Sequence, residues 1–251
     1  MSAEIVSVVN QKGGTGKTTT TMNLGCALQQ LGKRVLLVDL DPQGNLSYSL
    51  GITEPEKTMV DVITGQCSAK DALVEREGVD IIPGSPDMAD IEVSLAGQEQ
   101  REKFLKKALS GLSSQYDYIL IDSPPSLSLL TINALNAAQS VVVPMQLEVL
   151  TLQGLNQILS TVDAVKKTMN TKLKVKGILL VMYDKRRKLS QELQNFLEEN
   201  VKNRVYESVI RLNVKLAEAP SFGQSVIKYD PSSNGAKDYM AFAKEFLGQP
   251  A

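Results

Sequence analysis

Cys26 and Cys67 are the only two cysteines in the 251-residue chain. That is too few for a metal cluster built within one chain, and both read as packing or incidental residues. No apolar run approaches the roughly eighteen residues of a membrane span, and the N-terminus leads into a strand pattern without a signal-peptide pattern, so a cytosolic protein is expected. Linkers, low-complexity tracts and internal repeats are absent as well. At 43% hydrophobic residues, the chain suits one α/β domain over residues 1–251 with a sizeable core. The net charge is only −1 and by itself suggests no affinity for nucleic acid.

What is present is a phosphate loop. Asn10-Gln11-Lys12-Gly13-Gly14-Thr15-Gly16-Lys17-Thr18-Thr19 follows the pattern G-x-x-x-x-G-K-[ST], except that Gln11 stands at the first glycine. Gly13, Gly14 and Gly16 allow backbone conformations closed to residues with a Cβ, so that N–H groups of the loop, that of Thr15 included, converge on phosphate oxygens. Lys17 is placed for the β- and γ-phosphates, Thr18 for Mg²⁺ and Thr19 for the α-phosphate, and a helix opening near Lys17 points its positive end at the anion. The context fits: Ile5 to Val9 reads as a buried strand, and Leu24, Leu28 and Leu31 fall at helical spacing.

Lys12 is one lysine more than an ordinary P-loop carries. It need not fold back onto the phosphates of its own loop; it could project toward a second molecule and neutralise charge on the transferring phosphoryl group, or stay a solvated surface lysine.

Val35 to Val38 is a continuous apolar run, suited to a parallel strand buried on both faces, with Asp39 and Asp41 at its carboxyl end. Only one of these two carboxylates is expected to face the γ-phosphate directly. Asp122 ends a second such run, Tyr118 to Ile121, and is expected to hold Mg²⁺ through water. Further strand patterns at 79–83, 140–144, 175–182 and 205–210 alternate with helical ones. The expected fold is therefore a single doubly wound, mostly parallel sheet with helices on both faces.

The charge is unevenly spread. From Lys166 to Lys228 there are fourteen Lys/Arg and six Asp/Glu, a local +8, which leaves −9 on the rest. Its densest part, Asp184-Lys185-Arg186-Arg187-Lys188, directly follows a strand and is a candidate polyanion contact beside the alternative of a solvated loop.

The stretch K-G-G-T-G-K-T, together with Val35 to Asn45 and Tyr118 to Pro125, resembles the ParA/Soj group of deviant-Walker ATPases, which segregate bacterial chromosomes and plasmids. The resemblance runs from about Ile5 to the C-terminal helix. It implies ATP and Mg²⁺ as cofactors, slow hydrolysis, and an ATP-dependent homodimer in which Lys12 touches the nucleotide of the partner subunit. Asp41 would orient or activate the attacking water, with Asp39 supporting the site, and Asn213 would contact adenine. Arg186, with Lys185 beside it, and Lys215 match positions that contact the backbone of nonspecific double-stranded DNA. A ParB-like partner bound at a centromere would stimulate turnover, on the nucleoid in the cytoplasm.

Some residues depart from the group. Lys185, Arg187 and Lys188 replace a small residue, Thr and Asn, and Arg211-Leu212-Asn213 replaces Pro-Arg-Asn at the rim of the adenine pocket. The first strand begins within five residues of Met1, so the helix-turn-helix extension of larger members is not expected. The MinD group shares the loop but ends in a basic amphipathic helix. Here residues 237–247 balance two lysines with two acids, so that their apolar face is expected on the domain and no stable membrane association follows. A positioning ATPase for another cargo that tracks the nucleoid is the remaining alternative.

Overall fold

The computed structural model describes residues 2–148 and 151–249. Its strands are β1 (Glu4–Val8), β2 (Val35–Asp39), β3 (Val74–Arg76), β4 (Val79–Ile82), β5 (Tyr118–Asp122), β6 (Ser140–Gln146), β7 (Lys174–Tyr183) and β8 (Val205–Arg211). They form one sheet in the order β3-β4-β2-β5-β1-β6-β7-β8, parallel throughout except where β3 pairs with β4. The expected fold class is the observed one. β3 was not foreseen, because three half-exposed residues carry no pattern; the Glu77-Gly78 turn, with both φ angles positive, folds it back on β4.

The helices are α1 (Lys17–Gln30), α2 (Asn45–Ser49), α3 (Met59–Thr64), α4 (Met88–Leu95), α5 (Phe104–Leu109), α6 (Leu129–Ala137), α7 (Thr151–Thr168), α8 (Lys188–Asn200), α9 (Val214–Glu218), α10 (Val226–Tyr229) and α11 (Asn234–Phe246). They cover both faces of the sheet, which is why its strands read as unbroken apolar runs. Along β2, Leu36 and Val38 join one core layer with Ile119, Ile121 and the inner residues of α6 and α7. Val35 and Leu37 join the other, with α1 and α11.

Two packing details position the site. A Cβ on Gly25 would lie 2.6 Å from Leu37 Cδ2, so glycine lets α1 sit close on β2. On the same face, α11 buries Tyr239, Phe242 and Phe246; Tyr239 Oη lies 3.1 Å from Thr20 Oγ1, and Phe242 meets Tyr206 edge to face at 4.9 Å. The apolar face of the C-terminal helix thus packs on the domain, as its balanced charge predicts. β1 lies at the centre, with the carboxyl ends of β2, β5 and β6 around its own. Crevices at that end are the ligand sites of open α/β sheets.

Candidate nucleotide site

The loop from β1 to α1 takes the shape its composition predicts, with one refinement. Gly14 and Gly16 have φ of 74°, in the left-handed region, whereas Gly13 and Gln11 lie outside it. No glycine is required at position 11, which explains why the variant loop tolerates glutamine there. Gly16 stands at the N-cap of α1 and leaves the first-turn N–H groups facing the crevice. Within the loop, Thr15 Oγ1 donates to the Lys12 carbonyl at 3.0 Å, and Lys17 Nζ donates to the same oxygen at 3.3 Å.

Behind the loop lie three carboxylates, Asp39 and Asp122 at the ends of two adjacent strands and Asp41 just past the first. Asp39 and Asp122 are register partners across β2 and β5. Asp122 is fully buried and accepts hydrogen bonds from Thr18 Oγ1 at 2.7 Å and, more weakly, Thr21 Oγ1 at 3.4 Å. Burial, reinforced by Asp39, pushes its carboxyl well above the usual range, with the Thr18 bond opposing. Asp39 is also fully buried. Its Oδ2 accepts the N–H and hydroxyl of Ser47, at 2.9 and 2.6 Å, and its Oδ1 accepts the Asp41 N–H at 3.3 Å. Burial raises Asp39 to about 6 against these bonds.

Asp41 differs from both. Among the described residues its Oδ1 accepts only the Gln43 N–H, at 3.0 Å, and it joins Asp122 in acting on the Lys17 ammonium, whose pKa burial lowers and the two carboxylates raise. Both oxygens of Asp39 are thus engaged within the domain, and it reaches the site through the backbone of Asp41 rather than by direct contact.

The donor set fits Mg²⁺. A hydroxyl and a carboxylate, Thr18 and Asp122, converge where Asp122 and Asp41 act on one buried lysine and Asp39 lies behind Asp122, a local excess of negative charge that a divalent cation relieves. Among the described residues no cluster of three or more His, Cys, Asp or Glu is arranged to cage a metal. That agrees with an ion whose remaining ligands are phosphate and water.

Lys12 sits at the rim. Its side chain is 50% exposed, and Nζ pairs with Glu148 Oε2 at 2.5 Å, just past the end of β6. Its backbone N–H donates to Asn10 Oδ1, while Asn10 Nδ2 holds the Pro144 carbonyl, so the lysine's origin is fixed to β6.

Beside the loop a cavity of about 190 Å³ is lined by Gly16, Thr19, Met182, Leu212, Asn213, Leu216 and Tyr239. Asn213 caps α9, its Oδ1 accepting the Lys215 N–H at 2.9 Å. Met182 has φ of 50°, strained for a residue with a side chain, and lies where the register of β7 and β8 shifts. Leu212 is 72% exposed at the rim, while Arg211 is turned into an ion pair with Asp238 of α11 through Nε and Nη2.

The basic residues divide between the two ends of the sheet. Arg186 and Lys215 follow β7 and β8 at the nucleotide end. Arg186 is 86% exposed but hydrogen-bonds Asp184 through Nε and Nη2, both at 3.0 Å, and holds that carboxyl down at about 2. Lys215 pairs with Glu218 at 2.7 Å, which raises its pKa. Lys185 and Arg187 form no ion pair among the described residues. Lys166, Lys167, Lys172, Lys174, Lys202 and Arg204 instead flank the amino ends of β7 and β8. Ten residues of β7 put about 30 Å between the two groups, so the +8 stretch is not one surface.

Sequence reasoning missed Ser47, Glu148 and Tyr239. None of them lies in a motif: Ser47 meets Asp39 across a turn, Tyr239 meets Thr20 where α11 packs on α1, and Glu148 meets Lys12 through the sheet.

An AAA-domain family model matches residues 3–175. The chain is 46% identical to the sporulation initiation inhibitor protein Soj of Bacillus subtilis over 246 residues, 96% of this chain and 97% of that protein. It is 42% identical to the chromosome partitioning protein ParA of Caulobacter vibrioides over 251 residues, 98% and 94% of the two chains. Among solved structures, cobyrinic acid a,c-diamide synthase of Mycobacterium smegmatis with bound ADP and magnesium superimposes with a TM-score of 0.87 at 36% identity, covering 98% of this chain and 94% of that one. The cell division ATPase MinD of Pyrococcus furiosus gives 0.82 at 28% identity, covering 98% and 99%.

Proposed function

Because the chain belongs to the ParA/Soj family of partitioning ATPases, we propose that it is an ATP-driven dimerisation switch that binds nonspecific nucleoid DNA and, with a ParB-like partner, moves a chromosome or plasmid. The observation that carries this reading is the division of labour between two lysines. Lys17 is buried against the carboxylates and serves the phosphates of its own loop; Lys12 is half exposed at the rim, where a second subunit's nucleotide can be reached once Glu148 lets go.

In this reading the loop amides from Gly13 to Gly16 cradle the phosphates of ATP. Thr19 reaches the α-phosphate and Asn213 contributes to the adenine cavity. Thr18 and Asp122 would hold Mg²⁺, which would supply charge neutralisation to the phosphates. Asp41 orients the attacking water and takes up its proton, while Asp39, locked by Ser47, fixes the backbone from which Asp41 projects. Lys12 from the partner subunit neutralises charge on the transferring phosphoryl group, which couples hydrolysis to dimerisation.

DNA contact falls to Lys185, Arg186 and Lys215. Pairing two subunits doubles the phosphates held, so control of the dimer becomes control of DNA binding. Because Asp184 and Glu218 already pair with two of these cations, phosphate has to displace a carboxylate, which favours weak, salt-sensitive binding suited to a cycling protein. The membrane-cycling alternative is disfavoured by α11, whose aromatic residues are spent on β8 and α1.

The deciding experiment measures binding to nonspecific duplex DNA with ATP, ADP or no nucleotide at two salt concentrations, with anionic liposomes in parallel. ATP-dependent, salt-sensitive DNA binding is expected. Liposome binding without DNA binding would overturn the assignment.

A further inference from the structure

Helix α6 has two residues able to cap its first turn. Ser128 occupies the N-cap position with extended backbone (φ −80°, ψ 177°), where a serine hydroxyl accepts an N–H from the second or third helical residue. Here it does not: Ser128 Oγ is buried and has no hydrogen-bond partner among the described residues. One of those two donors, the Leu130 N–H, is taken by a residue from elsewhere, which also takes the N–H of the first helical residue. Glu92 of α4 accepts the Leu129 N–H at 2.6 Å and the Leu130 N–H at 3.4 Å, both on Oε1.

The capping carboxylate comes from a lightly held element. Of the eight residues of α4 only Met88 and Leu95 are buried, and Val93 is 77% exposed. What the cap steadies is close to the chemistry. Between Asp122 and α6 runs the segment 123–128; Thr131 Oγ1 in the first turn of α6 donates to the Ser126 carbonyl at 2.6 Å. Pro124, Ser126 and Leu127 line a small cavity together with Asn10 and Gln11 of the phosphate loop. The first turn of α6 therefore sets where this segment lies against the loop.

We propose that Glu92 is a positioning residue for ATP hydrolysis: by capping α6 from α4 it holds the 123–128 segment against the phosphate loop, and Ser128 is the alternative cap that takes over when α4 withdraws. The proposal rests on the ATPase reading above. A carboxylate at a helix N-terminus adds charge to the hydrogen bond and is the stronger of the two caps, which accounts for the tethered arrangement seen here. Ser128 already holds the N-cap position with its hydroxyl unpartnered and can take the Leu130 N–H when Glu92 leaves, so the turn has two discrete states whose balance α4 sets.

The test combines amide hydrogen exchange at Leu129 and Leu130 with steady-state ATP turnover by the full chain in Mg²⁺. Glu92→Ala is expected to speed exchange at these amides about fivefold, as loss of one cap does, and to lower kcat by about threefold or more with KM for ATP within about twofold, as misplacement of a positioned group does. Glu92→Gln keeps an acceptor oxygen and should restore both to near wild type. Ser128→Ala alone should change neither, yet added to Glu92→Ala it should speed exchange at Leu130 about fivefold further.

Unchanged exchange in Glu92→Ala would exclude the tether. Faster exchange with unchanged kcat would leave only a structural cap and overturn the positioning role, and a double variant no faster than Glu92→Ala would remove Ser128 as the alternative. Absence of turnover in the wild-type chain would instead defeat the ATPase reading, while the exchange data would still report on the cap.

Discussion

Neutralising Glu148 is expected to tighten the ATP-bound dimer. In the monomer Lys12 Nζ sits 2.5 Å from Glu148 Oε2, with the two side chains 50% and 42% exposed. A pair this open to solvent is worth about 0.2–1 kcal/mol rather than the several of a buried one. If Lys12 has to leave Glu148 to reach the partner's nucleotide, closing a symmetric dimer breaks two such pairs. At about 0.5 kcal/mol each, removing them favours the dimer by about 1 kcal/mol, or about fivefold in Kd.

The measurement is sedimentation of Glu148→Gln against wild type, both in an Asp41→Ala background to hold ATP unhydrolysed, across a concentration series with ATP or ADP. Lys12→Ala serves as the control that should lose the dimer. Because the pair is exposed, the advantage of Glu148→Gln should shrink as salt rises. A dimer no tighter, or weaker, than wild type at low salt would refute the reasoning, by showing either that the pair does not restrain Lys12 or that Glu148 has its own place in the dimer.

Asp41→Ala should retain ATP binding and lose about a hundredfold or more in turnover, the usual scale for a group that positions and deprotonates the nucleophile; near-normal single-turnover hydrolysis would assign the role to another carboxylate. The chain has no histidine, so side chains titrating near pH 6 are perturbed ones such as Asp39. With its folded pKa raised from 3.8 to about 6, Asp39 contributes stability that is fully present below 3.8 and is lost as pH rises through 6. Without nucleotide, the stability of wild type relative to Asp39→Asn should therefore fall by about 2 kcal/mol from pH 4 to 7, read by chemical unfolding at each pH; a flat difference would contradict the assignment. Arg186→Glu should leave ATP dimerisation intact while lowering the magnitude of the salt slope of DNA binding by about two per dimer. An unchanged slope in a fluorescence titration would move the contact to other cations.

Much of this was legible because it is local in the chain. The glycines, Lys17 and Thr18 specify a phosphate cradle within a few residues, and strands buried on both faces announce themselves as apolar runs with Asp39 and Asp122 at their ends. The left-handed conformation of Gly14 and Gly16 could be expected from glycine's freedom, but the ordinary backbone at Gln11 could not. Charge was the least reliable guide. The excess of cations after Lys166 reads as one patch along the chain, yet a strand of ten residues carries its two halves to opposite strand ends of the sheet.

The sequence alone determined the nucleotide chemistry, the parallel sheet and the presence of a lysine beyond the usual complement, since these depend on residue type and short-range periodicity. Only the tertiary structure decided which carboxylate is left available and what restrains the extra lysine. Ser47 consumes one oxygen of Asp39 from the far side of a turn, leaving Asp41 the more lightly bonded of the pair. Glu148, 136 residues away in sequence, meets Lys12 because β1 and β6 lie side by side. Hydrogen-bond and ion-pair partners are chosen by proximity in space, and in a doubly wound sheet the neighbours of a strand end come from distant parts of the chain.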